Sequence, residues 1–156
     1  LSGMTSASMP SGSVLQVLNS STTSTFSTTS SSAVDVTGFN VSITPTSTTS
    51  KILVFVDFRY GSSGNASNKA FLIRDATSIS LGGANSLSNV FQAHGDTVQG
   101  FGSSSFSYLD SPSTISSITY KLQVSTTVGT LYINNRNDGG ATTNHIGSIT
   151  VMEIGA

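Results

Sequence analysis

The chain has 156 residues, of which only 8% are charged, and its formal net charge is −1. This length corresponds to one domain that can bury a real core. The near-neutral charge gives no electrostatic footprint for nucleic acid or for an anionic membrane, and no apolar run reaches the roughly 18 residues of a membrane helix. We therefore expect a soluble domain with no nucleic-acid partner and no membrane insertion.

The residue types favour strands over helices. Ser, Thr, Val, Ile and Phe dominate, and strong helix formers are scarce, which is typical of an all-β protein. Cysteine is absent, which removes disulfides, thiolate metal sites and cysteine nucleophiles.

The first residues differ from the rest of the chain. Residues 1–12 are small and polar around Pro10, and we interpret them as a linker or N-terminal arm, so the head domain is predicted to span 13–156. Because the chain starts at Leu1 without a basic and apolar leader, we expect a processed product or a part of a longer protein.

The first half of the chain predicts short strands separated by turn residues. Residues 14–18 form a strand, 20–32 are either a loop or a polar edge strand, and 34–44 form a strand with a bulge at Thr37 and Gly38. Residues 51–60 alternate most clearly and are predicted to be central. A loop at 61–68 and a strand at 70–74 follow.

The second half continues the pattern, with weaker strands at 79–81, 89–93 and 103–109 and clearer ones at 118–124 and 131–133. Residues 148–156 form a last strand that is apolar on both faces and therefore requires burial on both sides. About nine or ten strands predict an antiparallel β-sandwich of jelly-roll type. The predicted core includes Phe39, Ile43, Val54, Val56, Phe58, Tyr120, Leu122 and Val151.

Four segments carry a resemblance to a known family. In chain order they are Met9-Pro10-Ser11-Gly12-Ser13-Val14-Leu15-Gln16-Val17, then Ile43-Thr44-Pro45 with Thr48-Thr49-Ser50-Lys51-Ile52-Leu53-Val54, then Ser105-Phe106-Ser107-Tyr108-Leu109-Asp110-Ser111-Pro112, and Ile149-Thr150-Val151-Met152-Glu153-Ile154. Together they resemble C-terminal head domains of tail fibre and receptor-binding proteins of bacteriophages, particularly marine phages.

The resemblance implies a location at the tip of a virion tail fibre. It implies a β-sandwich head, usually a homotrimer, that attaches to a glycan or protein of the host surface. It implies no catalytic residues. The alternative is a structural subunit of an extracellular filament or of a virion, in which the N-terminal arm and the last strand join neighbouring copies by strand addition.

Catalytic chemistry has little support in the sequence. His94 and His145 are the two histidines, and neither lies in a nucleophile elbow or a zinc-binding motif. The acidic residues are scattered, and none form a spaced calcium loop. We expect no enzymatic activity, no cofactor and no metal.

Carbohydrate recognition requires an aromatic face beside planar hydrogen-bonding groups. Two places offer these groups, and their candidate residues are Tyr60, Asn135, Arg136, Asn137, Asp138 and His145. The alternative reading is that Asn and Asp simply build the turn at 134–140. Arg59, at the end of the central strand beside Tyr60, also stands out for binding. The alternative is that Arg59, Asp57 and Arg74 are edge charges that discourage aggregation.

Several strands carry more apolar residues than one sandwich can bury, because each sheet buries only its inner face. The surplus residues are predicted to form an interface between copies of the chain, and they are Leu15, Val17, Leu53, Phe55, Met152 and Ile154. The resemblance to fibre heads implies a homotrimer over a dimer, because fibres are commonly rotationally symmetric.

Overall fold

The computed structural model describes residues 9–64, 66–79, 91–93, 102–136 and 145–156. Within these ranges the regular structure is entirely β. The strands are β1 (Val14–Thr22), β2 (Phe26–Thr28), β3 (Val34–Ile43), β4 (Lys51–Ser62), β5 (Ala66–Arg74), β6 (Thr77–Ser78), β7 (Phe91–Ala93), β8 (Gly102–Asp110), β9 (Ile118–Thr126), β10 (Leu131–Ile133) and β11 (Gly147–Ile154).

The strands form two antiparallel sheets. In the first sheet, β10 and β11 lie end to end and pair with the same side of β4. β1 pairs with β11, and β2 pairs with β10. β8 pairs with the other side of β4. The first sheet is therefore four strands wide, with β1 and β2 at one edge and β8 at the other.

The second sheet has the order β3, β9, β5, and its last position is shared by β6 and β7, which both pair with β5. Taken with the first sheet, this order places eight strand positions in two four-stranded layers, and the chain passes repeatedly from one layer to the other. That arrangement is a jelly roll, so the predicted antiparallel sandwich is confirmed.

The core lies between the two sheets and follows the alternation in the sequence. On β4, Ile52, Val54, Val56 and Phe58 are fully buried and face the second sheet. All eight predicted core residues belong to this one hydrophobic cluster. The predicted bulge is also present, because the register of β3 against β9 shifts between Asp35 and Asn40. Gly38 lies there with φ +83°, a conformation that suits glycine.

Several strand boundaries were predicted wrongly. β1 extends to Thr22 because it pairs with β11 along its whole length. The loop predicted at 61–68 is much shorter, since β10 holds β4 in strand form to Ser62 and β7 pairs with β5 from Ala66. The strand predicted at 79–81 lies mostly outside the described residues, although Ile79 is part of the core.

Two buried carboxylates fasten one end of the sandwich, and both lie beside Ile52 of β4. Asp110 accepts two hydrogen bonds from Arg74 at 2.9 and 2.7 Å and one from the Tyr120 hydroxyl at 2.6 Å, so β8 is tied to the second sheet. Glu153 accepts hydrogen bonds from the backbone N–H and hydroxyl of Thr46 and from Gln16 Nε2.

Candidate functional site

The outer face of the first sheet carries a row of aliphatic side chains that crosses all four strands. Val17 lies opposite Met152, Met152 opposite Leu53, and Leu53 opposite Leu109. Directly opposite side chains on one face of a sheet are near neighbours. We call these four residues the apolar row.

The apolar row is open to solvent in this chain. Val17 and Leu109, at its two ends, are each 51% exposed, and Leu53 and Met152 are half-buried. The neighbouring row contains Val14 opposite Ile154, and ends in Lys51, whose Nζ donates to Ser111 Oγ at 2.9 Å. Val14 and Ile154 together with the apolar row are called the apolar band below.

The structure brings five of the six predicted interface residues to this face. Leu15 is the exception, because the register of β1 shifts between Val14 and Gln16 and turns Leu15 toward Gly155. Sequence reasoning missed Leu109 and Val14. Alternation with serine in β8 could have indicated Leu109, since residues 103, 105, 107 and 109 share a face.

The other half of the same face is polar. Phe55 lies between Thr150 and Ser107, and Asp57 lies between Ser148 and Ser105. Phe55 is 41% exposed. Arg59, two positions further along β4, donates from Nη1 to Asp57 Oδ1 at 2.8 Å.

A groove of about 360 Å³ runs over this polar half. Its lining consists of Phe55, Val56, Asp57, Ser105, Phe106, Ser107 and Ser148. We call it the serine groove. It forms because serines on β8 and β11 flank larger side chains on β4.

The interpretation of Asp57, Arg59 and Arg74 as edge charges is wrong. β4 has partners on both sides, so Asp57 and Arg59 lie inside the first sheet. Arg74 lies on β5 between β9 and β6, and its guanidinium is committed to Asp110.

Tyr60, a predicted carbohydrate platform, belongs to the inner side of β4. Its ring lies over Gly102, where a Cβ would stand 2.5 Å from Tyr60 Cζ, and its centroid is 6.4 Å from that of Phe58. Burial raises the pKa of the Tyr60 hydroxyl. The carbohydrate role of Tyr60 stays a prediction, with less of the ring open than the sequence suggested.

The other carbohydrate candidates surround the chain segment between β10 and β11. Asn135 is buried, its Oδ1 accepts from the backbone N–H of Arg136 at 2.8 Å, and it lines a cleft with Phe26 and Tyr132. Arg136 and His145 are half-buried. Asn137 and Asp138 lie outside the described residues, so the loop stays a prediction.

Asn134 is a structural residue that sequence reasoning missed. It is fully buried, has φ +56°, and donates from Nδ2 to the backbone oxygens of Thr22 and Ser24. Its backbone oxygen accepts from His145 N at 3.4 Å. Asn134 therefore links the end of β10 to His145, which lies just before β11.

The comparisons with known proteins add little to this picture. No protein-family model matches the chain, and a comparison with curated proteins finds no match. Among solved structures, the chain is similar to the VP2 subviral particle of infectious bursal disease virus, with 14% identity over 92% of this chain and 39% of that one and a TM-score of 0.46. It is also similar to a structure of the Gx strain of infectious bursal disease virus, with 13% identity over 90% of this chain and 38% of that one and a TM-score of 0.47.

The chain spans about two fifths of the length of these viral structures. At this identity and TM-score the likeness carries no argument about function. The fold assignment rests on the strand pairing.

The described residues contain no group of three or more His, Cys, Asp or Glu side chains arranged to hold a metal ion. No helix in the described ranges is long and apolar enough to cross a membrane. His94 lies outside those ranges, and the backbone N–H of His145 donates to the backbone oxygen of Asn134.

Proposed function

We propose that this domain is a non-enzymatic attachment head, located at the tip of a virion tail fibre, whose copies associate through the apolar band. The observation that carries the proposal is the apolar row Val17, Met152, Leu53 and Leu109 on the outer face of the first sheet, opposite the face that packs in the core. Receptor binding and the fibre location are supported by the sequence resemblance.

Association of two copies would bury the apolar area of the band. The inner face of the first sheet already packs against the second sheet, so the outer band contributes nothing to the core of one copy. Covering it would contribute about 25 cal/mol per Å², which amounts to a few kcal/mol per copy. Because the apolar row contains no charge, a second copy can cover it without desolvating an ion.

A trimer is the proposed symmetry. Fibres are commonly rotationally symmetric, and a cyclic arrangement gives every copy the same two neighbours. With three outer faces turned toward a common axis, each apolar band would contact the bands of both neighbours. The resemblance to fibre heads supports this symmetry.

Light scattering of the purified domain at micromolar concentration tests the proposal. We expect about three times the chain mass, and a lower mass for Leu53→Asp because it places a charge in the middle of the apolar row. Ser103→Asp, at the polar end of the same face, is the matched control and should keep the wild-type mass. A wild-type protein that is monomeric at high concentration would show the proposed association to be wrong.

A second candidate, a structural subunit of a filament or virion, is favoured by the edge formed by β8. β8 pairs with β4 over nine positions without a register shift, and residues 102–109 contain no Lys, Arg or Pro. By contrast, the two other long edge strands, β1 and β3, both carry register shifts, which discourage strand addition.

Polymer growth distinguishes the two candidates. The filament subunit would be favoured by open-ended particles whose length grows with protein concentration. Ser103→Lys should then shorten these particles, because it places a charge on the β8 edge. A single discrete mass that does not change with concentration would favour the fibre head.

A further inference from the structure

We propose that the serine groove binds a neutral sugar ring of a surface glycan, with Phe55 against the ring and the pair Asp57 and Arg59 bonded to its hydroxyls. This inference rests on the proposed attachment function and names the site and ligand class for it. Apart from Arg59, the sequence-based candidates lie elsewhere, at Tyr60 and in the segment that follows β10.

The aromatic surface comes from Phe55. Its direct neighbours across the strands, Thr150 and Ser107, are too short to cover a phenyl ring, which explains why the residue stays 41% exposed although it lies on an inner strand of the sheet. An exposed ring beside a groove is suited to the C–H face of a sugar, because ligand sites combine apolar surface with a few fixed polar groups.

The polar groups come from Asp57 and Arg59. Their ion pair at 2.8 Å holds both side chains in place, and the side chains remain 44% and 31% exposed respectively. A guanidinium has five N–H donors and a carboxylate about four acceptor positions. One mutual contact therefore uses only a small part of their capacity, and vicinal sugar hydroxyls, which both donate and accept, can use the rest.

The charge of the groove favours a neutral ligand. Asp57 is the one charged residue of the lining, and its charge is balanced by Arg59, which pairs with it from the next outward-facing position of β4. The other lining residues are Phe55, Val56, Phe106 and serines. An acidic sugar would meet the Asp57 carboxylate as well as the guanidinium, whereas a neutral ring bonds to both. The serine hydroxyls at positions 105, 107 and 148 add donors and acceptors without charge.

The groove and the apolar band divide one face between them. Two residues along a strand span roughly 6.6 Å, so the row of Asp57 lies about 13 Å from the apolar row. Copies joined through the band would therefore carry one groove each at the rim of the contact. Several weak sites on one particle would strengthen attachment to a surface that presents many sugars.

The test compares groove variants with matched controls on an array of neutral and acidic oligosaccharides. Phe55→Ala and Asp57→Asn should each weaken binding by at least about tenfold. Ile115→Ala, which removes another exposed apolar side chain, and Asp35→Asn, which breaks the exposed pair with Lys121, should bind as the wild type does. Light scattering and circular dichroism on the same samples report assembly and folding.

Each outcome has one reading. Loss of neutral-glycan binding by Asp57→Asn at wild-type mass supports the groove. Three results would overturn it. Asp57→Asn could bind neutral glycans as the wild type does, the wild type could bind acidic glycans alone, or variants could lose binding only when their mass also falls. If the wild type binds both to the array and to host cells while groove variants do the same, the groove is wrong and the attachment function survives. If the wild type binds neither, the attachment function itself fails.

Discussion

Glu153 is a fully buried carboxylate whose hydrogen bonds come from two distant parts of the chain, Gln16 on β1 and Thr46 in the turn before β4. Burial alone raises the pKa of the Glu153 carboxyl, but these hydrogen bonds outweigh it and hold the pKa below its usual value. The ionised side chain therefore joins the first and last strands to that turn.

The depressed pKa of Glu153 gives stability a definite dependence on pH. The folded protein binds this proton less readily than the unfolded chain, so the contribution is fully present above the ordinary pKa of glutamate and is lost as the pH falls through the folded-state value. Glu153→Gln should lower the free energy of unfolding by about 2 kcal/mol at neutral pH, and the difference from the wild type should shrink in acid.

Urea unfolding curves at about pH 7, 5 and 3 measure this difference. Asp35→Asn is the control, because hydrogen bonds from Lys121 and Gln123 also lower the pKa of Asp35 while its side chain is 55% exposed and contributes little. A gap between wild type and Glu153→Gln that stays constant at all three pH values would contradict the assignment.

Tyr120 donates a hydrogen bond to Asp110, the second buried carboxylate. Its ring is fully buried, and its hydroxyl donates to Asp110 at 2.6 Å. Burial and the bond to Asp110 raise the pKa of Tyr120, so it remains protonated and keeps donating. Tyr120→Phe removes that hydrogen bond and leaves Asp110 paired with Arg74. We expect a loss of about 1.5 to 3 kcal/mol in urea unfolding, and an unchanged midpoint would show that the bond does not stabilise the fold.

Individual residues were predictable where one strand decides their environment. Alternation alone placed Val54, Val56 and Phe58 in the core, because side chains on a strand alternate between faces. The roles of Asp110, Glu153 and Asn134 were not predictable, since each depends on partners 10 to 137 positions away. Sequence reasoning had no means of fixing these pairings.

The first sheet contains two strands that are each interrupted once. β1 and β2 are separated by residues 23–25, and β10 and β11 by the segment that begins at Asn134. The two interruptions face each other, because Asn134 Nδ2 reaches the backbone oxygens of Thr22 and Ser24. The Asn134 side chain thus satisfies two backbone oxygens at the break between β1 and β2.

Two substitutions at Asn134 separate its backbone role from its side-chain role. Asn134→Gly and Asn134→Ala both lose the bonds to Thr22 and Ser24, but only alanine is strained at φ +56°. Alanine should therefore be less stable than glycine by about 1 kcal/mol, measured by urea unfolding. Equal stability of the two variants would mean that the backbone relaxes at this position.

The serine groove shows why a site can escape sequence reasoning at the scale of elements. Its lining residues come from β4, β8 and β11, and only the registers of β8 and β11 against β4 place Ser105 and Ser148 beside Asp57. The apolar band was more accessible, because the surplus of apolar residues is visible within each strand. Leu15 lies off the face that carries the band, because the bulge in β1 between Val14 and Gln16 changes the side to which its side chain turns.

At the scale of the whole molecule, assembly and folding are coupled if the apolar band is an interface. A contact that exists in the folded assembly and not in unfolded chains stabilises the fold by mass action. The midpoint of thermal unfolding should then rise with protein concentration between roughly 1 and 100 µM, and Leu53→Asp should remove that dependence.

Because the apolar row is aliphatic, the dependence should persist at about 1 M salt, where exposed charge pairs are screened. Differential scanning calorimetry across this concentration range measures both effects, with Ser103→Asp as the variant expected to follow the wild type. A midpoint that ignores concentration, or one whose concentration dependence disappears in salt, would mean that the band does not hold the copies together.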